Sequence, residues 1–522
     1  MNIISVDQKK AFDSIDHKYL FKILEHINIG NFLLNNIKRL YSNTFVHISV
    51  NGYISNNFNI CSGIKQGCPL SMMLYVIAIE ELLLKIKQNN NIKGFKTCIL
   101  KPIEIKSNAY ADDVIGYVSN NESIDFFFEE FDKWGEHSGA SINVTKTKIL
   151  PINSDYDSSK YSVVNEMKIL GIIFNQKGIS EENYNKAVKK LKESMFLWGS
   201  TNLNLIERVT ACRTFLLSKL WFIGNFYFFN NDNIKLINSK CFKFIWNNRT
   251  ELIKRDFLIN PKEKGGLNMV NLKAKINTIY LMNLIKIARR YEDEAFHLDI
   301  YFMKFNLTEI KFKNFNLIPS CEDKEQPIIV SKMIESLKQF RVIEKLNKKL
   351  EFSILNTKYG SKAIYKRFRD HFGISPTHEQ QINMDWEKVY KNFHLRFLNS
   401  NLNELNYKIL YNGLALNFKR DSCVKNKCFL CKRANEDLDH LFINCIETNK
   451  LFNFIKHKFK EKNLVQNKNN IYFLNLKNKD DLKLISSFKM SIWQIRESIR
   501  KKKENRDRNI YFLKIFDNYL AL

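Results

Sequence analysis

Two rhythms of apolar and polar positions divide this chain. Through about residue 175, short strand-like runs alternate with segments of helical spacing; beyond it the spacing is helical almost throughout. "NIISVD" is a short apolar run that ends on Asp7, and "DHKYLFKILEHI" follows with helical spacing and Asp16 at its N-cap position. Asn51-Gly52 lies between two period-two segments, the signature of a tight hairpin. "LSMMLYVIAIEELLLKIK" reads as a long, mostly buried helix, and "AYADDVIGYV" as strand, turn and strand with Asp112-Asp113 at the tip. The helix "SIDFFFEEFDKWGEHSG" puts Phe127, Phe131 and Trp134 on one face and stops at Gly139. "ASINVTKTKIL" and "MKILGIIF" read as two closing strands. The alternation predicts an α+β unit built on an antiparallel sheet. Past it, "NYNKAVKKLKESMFLWGS" aligns Tyr184, Val188, Leu191, Met195 and Trp198 along one helical face, and the next helix carries Ile206, Val209, Leu216 and Leu220.

Composition adds a partner. Only 7 Pro and 17 Gly in 522 residues favour helices, and 82 Lys and Arg against 54 Asp and Glu leave a formal charge of +28. Such an excess points to a polyanion, because each cation laid on phosphate releases a counterion; a basic solvated surface is the bland alternative. Ten cysteines in so long a chain do not make a disulfide framework. "MNIISVDQKK" lacks the basic start and apolar core of a signal peptide, and no uninterrupted apolar run reaches about 18 residues. The expectation is a soluble intracellular protein with no membrane partner.

Two constellations carry chemistry. Adjacent carboxylates at a hairpin tip repel each other unless a cation neutralises them, and Asp7 ends a neighbouring run. Three carboxylates brought together make an oxygen site for Mg²⁺ or Mn²⁺, and two such ions support in-line phosphoryl transfer. Taken alone, an Asp-Asp pair is equally a solvated turn. Near the C-terminus, Cys428 and Cys431 form a C-x2-C pair, with His440 and Cys445 following after gaps of eight and four residues. Three thiolates and one imidazole form the closed tetrahedral set of a structural Zn²⁺, against the alternative of buried free thiols. Cys423 is a rival ligand at longer spacing, and Leu441 and Phe442 offer a small local core.

"DQKKAFDSIDH", "SGIKQGCPLS", "AYADDVIGYV", "SGASINVTKTKIL" and "MKILGIIF" resemble, in order and spacing, the successive palm motifs of reverse transcriptases, and most closely those of the non-LTR retrotransposon (LINE-type) branch. "LIERVTACRTFLLSKLWF" and "FLINPKEKGGLNMVNLKAKIN" resemble the region after the palm. "YKILYNGLALNF" with "CFLCKRANEDLDHLFINC" resembles the C-terminal zinc knuckle, and residues 295–400 match least.

The resemblance implies a polymerase palm followed by a helical thumb and a helical C-terminal region with a zinc knuckle. It implies Asp7 and Asp112 as principal ligands of two Mg²⁺ ions, with Asp113 the second carboxylate of the pair. It makes Phe12 a steric gate against a 2′-hydroxyl, beside the simpler reading of a core residue, and Gln66 and Gly67 the loop against the nascent base pair. Lys146 matches a general acid for the leaving pyrophosphate, and a solvated lysine is the other reading. Lys186, Lys189, Lys190, Arg208 and Arg213 are thumb candidates for phosphate contact; "RESIRKKKENRDR" (Arg496 to Arg508) is a basic helix or nuclear-targeting segment. The implied division is palm 1–175, thumb 176–260, connecting region 261–405, zinc knuckle 406–450 and basic region 451–522.

Met72 stands where the second motif usually has proline, and Ile169 where the family commonly has tyrosine. The first catalytic carboxylate lies close to the start, so the sequence reads as the C-terminal part of a longer protein without fingers or endonuclease. Such a piece should polymerise weakly by itself. The implied function is RNA-directed DNA synthesis from a primer 3′-hydroxyl, with an RNA template, a DNA primer or target and deoxynucleoside triphosphates as partners. The implied location is the nucleus, or a cytoplasmic ribonucleoprotein. An inactive nucleic-acid-binding remnant and a group II intron maturase-like enzyme are the alternatives.

Overall fold

The computed structural model describes residues 1–96, 104–153, 156–288, 310–311, 328–344, 350–351, 360–372, 385–394, 397–417, 427–476, 478–501 and 507–521. The chain divides into two compact units, Met1–Asn185 with Lys286–Pro327, and Lys186–Ile285 with Ile328–Leu522.

The first unit is built on a five-stranded sheet in the order Ser162–Val163, Lys148–Pro151, Asn2–Val6, Asp113–Val118, Ser107–Tyr110. All its pairings are antiparallel except the one between Lys148–Pro151 and Ser162–Val163. Ile4 and Val6 of the central strand join Val114 and Val118 in a core shared with the helices His17–His26, Ser71–Gln88 and Glu122–Ser138. Gly116 lets this packing close, since a Cβ there would lie 2.8 Å from the Phe127 ring. Asp16 caps its helix by accepting from the Lys18 and Tyr19 amides. Trp134 Nε1 donates to Tyr19 Oη, which itself reaches Ala78 O and Glu81, tying three helices together.

Three local expectations shift. The tip of the acidic hairpin is Ala111-Asp112, and Asp113 already pairs with Tyr110 as the first residue of its strand. "MKILGIIF" is a hairpin of Glu166–Ile169 on Ile172–Asn175, because Leu170 (φ 46°) and Gly171 (φ 89°) turn the chain sharply. It belongs to a separate three-stranded sheet. In "ASINVTKTKIL" only Lys148–Pro151 is strand; Asn143 first starts a turn whose carbonyl accepts from the Lys146 and Thr147 amides. At Asn51-Gly52 a short hairpin forms, with φ of 49° and 84°.

The second unit is mainly helical. The Leu205–Ala211 helix runs through a π-helical turn at Cys212–Leu216 into Ser218–Trp221. Farther on, one hydrophobic core joins Val389, Leu402, Leu430, Phe442, Phe459, Phe488 and Phe516. Its axis is the Lys479–Arg500 helix, which is buried on most of its circumference. Among the described residues no helix is long and apolar enough to cross a membrane.

Candidate functional site

Asp7 follows directly on Val6, whose strand partner is Val114, so Asp7 and Asp113 leave neighbouring strands at the same end of the sheet. Asp112 sits in the adjoining turn, where Ala111 adopts φ 55°, a left-handed conformation costly for a residue with a Cβ. The Asp113 carboxyl is pushed up from its ordinary value by partial burial and then by the negative charges of Asp112 and Asp7. The Asp7 backbone is held on both sides: its amide donates to Thr147 Oγ1 at 3.3 Å and its carbonyl accepts from the Asn143 amide at 2.7 Å. Lys146 Nζ lies 3.9 Å from Asp7 Oδ2. That lysine is largely exposed, and its contact is a loose surface pair.

Phe12 is half-buried, with its ring centroid 4.6 Å from that of Tyr75. Gln66 Nε2 donates to Asp13 Oδ1 at 3.1 Å, tying its loop to the residue after Phe12. Gly67 has φ 83°, which calls for glycine, while a Cβ there would meet open space. Close backbone approach within the protein falls instead at Gly63, where a Cβ would lie 2.9 Å from Asp13 O. Sequence pattern gave no reason to single out Tyr75 or Gln8. Tyr75 is fully buried, donates to Gln8 Oε1 at 2.9 Å, and keeps its proton because burial and the Asp112 charge push its hydroxyl up.

In the second unit, ligand atoms of Cys428, Cys431, His440 and Cys445 all lie within 4.8 Å of one another. Cys431 Sγ is 3.2 Å from His440 Nε2, and Cys428 Sγ is 4.0 Å from Cys445 Sγ. A tight loop presents the first pair: the Lys432 amide bonds to Cys428 O, the Cys428 amide to Ala434 O, and Lys432 takes φ 59°. A π-helical turn at His440–Asn444 presents the second, and Cys445 then caps the helix Ile446–Glu461. The Cys445 thiol is pulled down from its ordinary value, chiefly by the neighbouring Cys428 Sγ and also by the amides of Thr448 and Glu447. Cys423 and Lys425 lie outside the described residues.

The loop is anchored from behind by groups the spacing did not reveal. The fully buried Glu436 carboxylate accepts from the amides of Asn417 (3.1 Å) and Phe429 (2.8 Å) and from Arg496. Arg496 is equally buried and its guanidinium lies against the rings of Phe429 and Trp493. Arg496 is therefore not part of a solvated basic tail; Arg500 pairs with Glu497, and residues 502–506 lie outside the described ones. Nor is Arg208 free for phosphate, since it is buried and donates to the carbonyls of Leu203 and Phe244. Lys189 and Lys190 are exposed.

With this geometry in view, residues 2–174 match the family model described as reverse transcriptase (RNA-dependent DNA polymerase). The chain is 23% identical over 54% of its length to the transposon TX1 uncharacterized 149 kDa protein of Xenopus laevis, covering 22% of that protein. It is 30% identical over 22% of its length to the Pol polyprotein from the type-1 retrotransposable element R2 of Popillia japonica, covering 18%. The R2DM polyprotein of Drosophila melanogaster is 22% identical over 28% of the chain, which covers 13% of it. These relatives are proteins of transposable elements, and the chain is similar to them over part of its length. It spans about a fifth of the length of the first curated relatives it matches. Among solved structures, a telomerase of Candida tropicalis with an RNA fragment is 14% identical over 57% of this chain and 48% of its own, at a TM-score of 0.27, too low to carry an argument.

Proposed function

We propose that this chain is the polymerase part of a LINE-type retrotransposon protein, an RNA-directed DNA polymerase that extends a primer 3′-hydroxyl on an RNA template with deoxynucleoside triphosphates. The observation that carries the reading is the placement of Asp7, Asp112 and Asp113 together at one end of the sheet, inside the region matched as reverse transcriptase. A mutually repelling carboxylate set suits hard divalent cations, and Asp7 and Asp112 would hold them with Asp113 alongside. When bound, Mg²⁺ supplies the charge that activates the attacking hydroxyl and steadies the leaving pyrophosphate. Phe12, backed by the buried Tyr75, gives a firm edge against a sugar 2′-hydroxyl. The Gln66–Gly67 loop, tied to Asp13, lies next to that edge as a surface for the base pair. Lys146, close to Asp7, carries a proton that Nζ can deliver to a departing oxygen.

The helices from Glu182 onward, with exposed Lys189 and Lys190, suit a thumb against primer and template. Cys428, Cys431, His440 and Cys445 would hold a structural Zn²⁺, since three thiols and one imidazole leave no open position. Action on chromosomal DNA would put the protein in the nucleus.

Primer extension on RNA with Mg²⁺ and deoxynucleotides tests the reading. Asp112→Asn should lower extension roughly 100-fold or more while template binding, read by filter retention, stays near wild type. Equal extension by both proteins would refute the assignment.

A further inference from the structure

Gln8 follows Asp7 and is buried to 8% exposure, an unusual place for an amide side chain. Its two polar atoms are both engaged. Oε1 accepts from Tyr75 Oη at 2.9 Å, and Nε2 donates to the Asp112 carbonyl at 3.2 Å. The orientation admits no flip, because the Asp112 carbonyl can only accept and so must face the amide nitrogen. Its backbone is fixed too, bridged to Ile142.

The turn that Gln8 grips is the one whose geometry is least self-sustaining. Ala111 holds a left-handed φ of 55°, costly for a residue with a Cβ. Tyr75, which orients Gln8, also backs Phe12. One hydrogen-bonded chain thus runs from the Ser71–Gln88 helix through the residue after Asp7 to the backbone of Asp112.

We propose that Gln8 is a positioning residue for the acidic turn: its amide clamps the Asp112 carbonyl to Tyr75 and so sets where the Asp112 carboxylate stands relative to Asp7. The inference rests on the polymerase reading of this site. It gives Tyr75 a second task beyond filling the core, as the group that selects the Gln8 rotamer.

Mn²⁺ binding tests it without requiring turnover. The full chain, its Cys/His cluster loaded with Zn²⁺, is titrated with Mn²⁺ and free ion is followed by electron paramagnetic resonance; the binding removed by Asp112→Asn is the signal of interest. The double variant Gln8→Leu/Tyr75→Phe deletes both ends of the Tyr75–Gln8 hydrogen bond and releases only the Asp112 carbonyl, whose residue is part-exposed. It should melt close to wild type yet bind Mn²⁺ at the Asp112-dependent site roughly tenfold more weakly. Tyr75→Phe alone, which frees Gln8 to rotate, should fall in between. Unchanged Mn²⁺ affinity in the double variant overturns the proposal. So does a loss of affinity that merely tracks a lowered melting temperature, which would leave Gln8 a core residue. If Asp112→Asn itself leaves Mn²⁺ binding intact, the metal reading of the site fails, and the inference with it; that result is distinct from the other two.

Discussion

The acidic turn and the Cys/His cluster are both candidate ion sites, and they are built on opposite principles. At the turn, like charges gather at the end of a sheet, one carboxyl is pushed up by partial burial and then by the other two, and an alanine sits in a left-handed conformation. Around the cysteines, the supporting groups agree with one another: Glu436 is saturated by two amides and Arg496, and Leu430, Leu441 and Phe442 belong to the main core. The first site is electrostatically discontented without a cation. The second is framed by buried groups of the protein itself. An ion should therefore relieve the acidic turn locally, and add to a Cys/His loop that the core also supports.

Breaking the frame behind the cysteines should give the largest effect. Arg496→Met strands Glu436 as a buried, uncompensated charge, and urea unfolding should show a loss of about 3–5 kcal/mol in the second unit. A change below about 1 kcal/mol would mean that the pair does not anchor the loop.

A smaller effect should follow from removing the Zn²⁺ proposed for the Cys/His cluster. A free-standing knuckle would unfold on chelation. Here, hydrogen exchange with and without chelator should show faster exchange confined to about Lys427–Cys445, with the Lys479–Arg500 helix still protected. Cys431→Ser should behave alike and bring zinc content, read by mass spectrometry, near zero. Loss of protection along the whole helix would show that the metal holds the core together.

The smallest effect concerns the acidic turn and carries the opposite sign. The folded state holds the Asp113 proton more tightly than the unfolded chain, so this group's contribution is fully present below the ordinary value of 3.8 and is lost as pH rises past the raised folded value. In metal-free protein, Asp113→Asn should then raise the melting temperature near pH 7 by on the order of 2 °C, because the site is partly exposed and screened. Near pH 3 the gain should vanish, and with millimolar Mg²⁺ it should reverse. Differential scanning fluorimetry across pH 3–8 reads all three.

Much of this was legible in residue order. Asp16 as a cap, Gly139 as a helix stop and Asn51-Gly52 as a hairpin each follow from backbone chemistry confined to a few neighbours. The four Cys and His residues were readable for the same reason, their spacing being a local code. The turn at Leu170 was missed because a leucine at positive φ has no sequence signal. Arg208 and Arg496 were read as cations facing solvent, since nothing adjacent announces Phe244 O, or Glu436 sixty residues away, as their partners. Gln8 was passed over likewise: its partners, Tyr75 and Asp112, come from two distant segments.

The central place of Asn2–Val6 in the sheet bears on how the protein is made. Its first neighbour, Asp113–Val118, leaves the ribosome more than a hundred residues later, and the second, Lys148–Pro151, later still. At typical elongation speeds the strand waits on the order of ten seconds with both edges unpaired. Isoleucine-rich and short, it is during that interval a template for any passing chain. Asp7 beside it is thus committed early but joined by Asp112 and Asp113 late, and a chaperone acting on nascent chains should govern how much of the protein reaches its folded state.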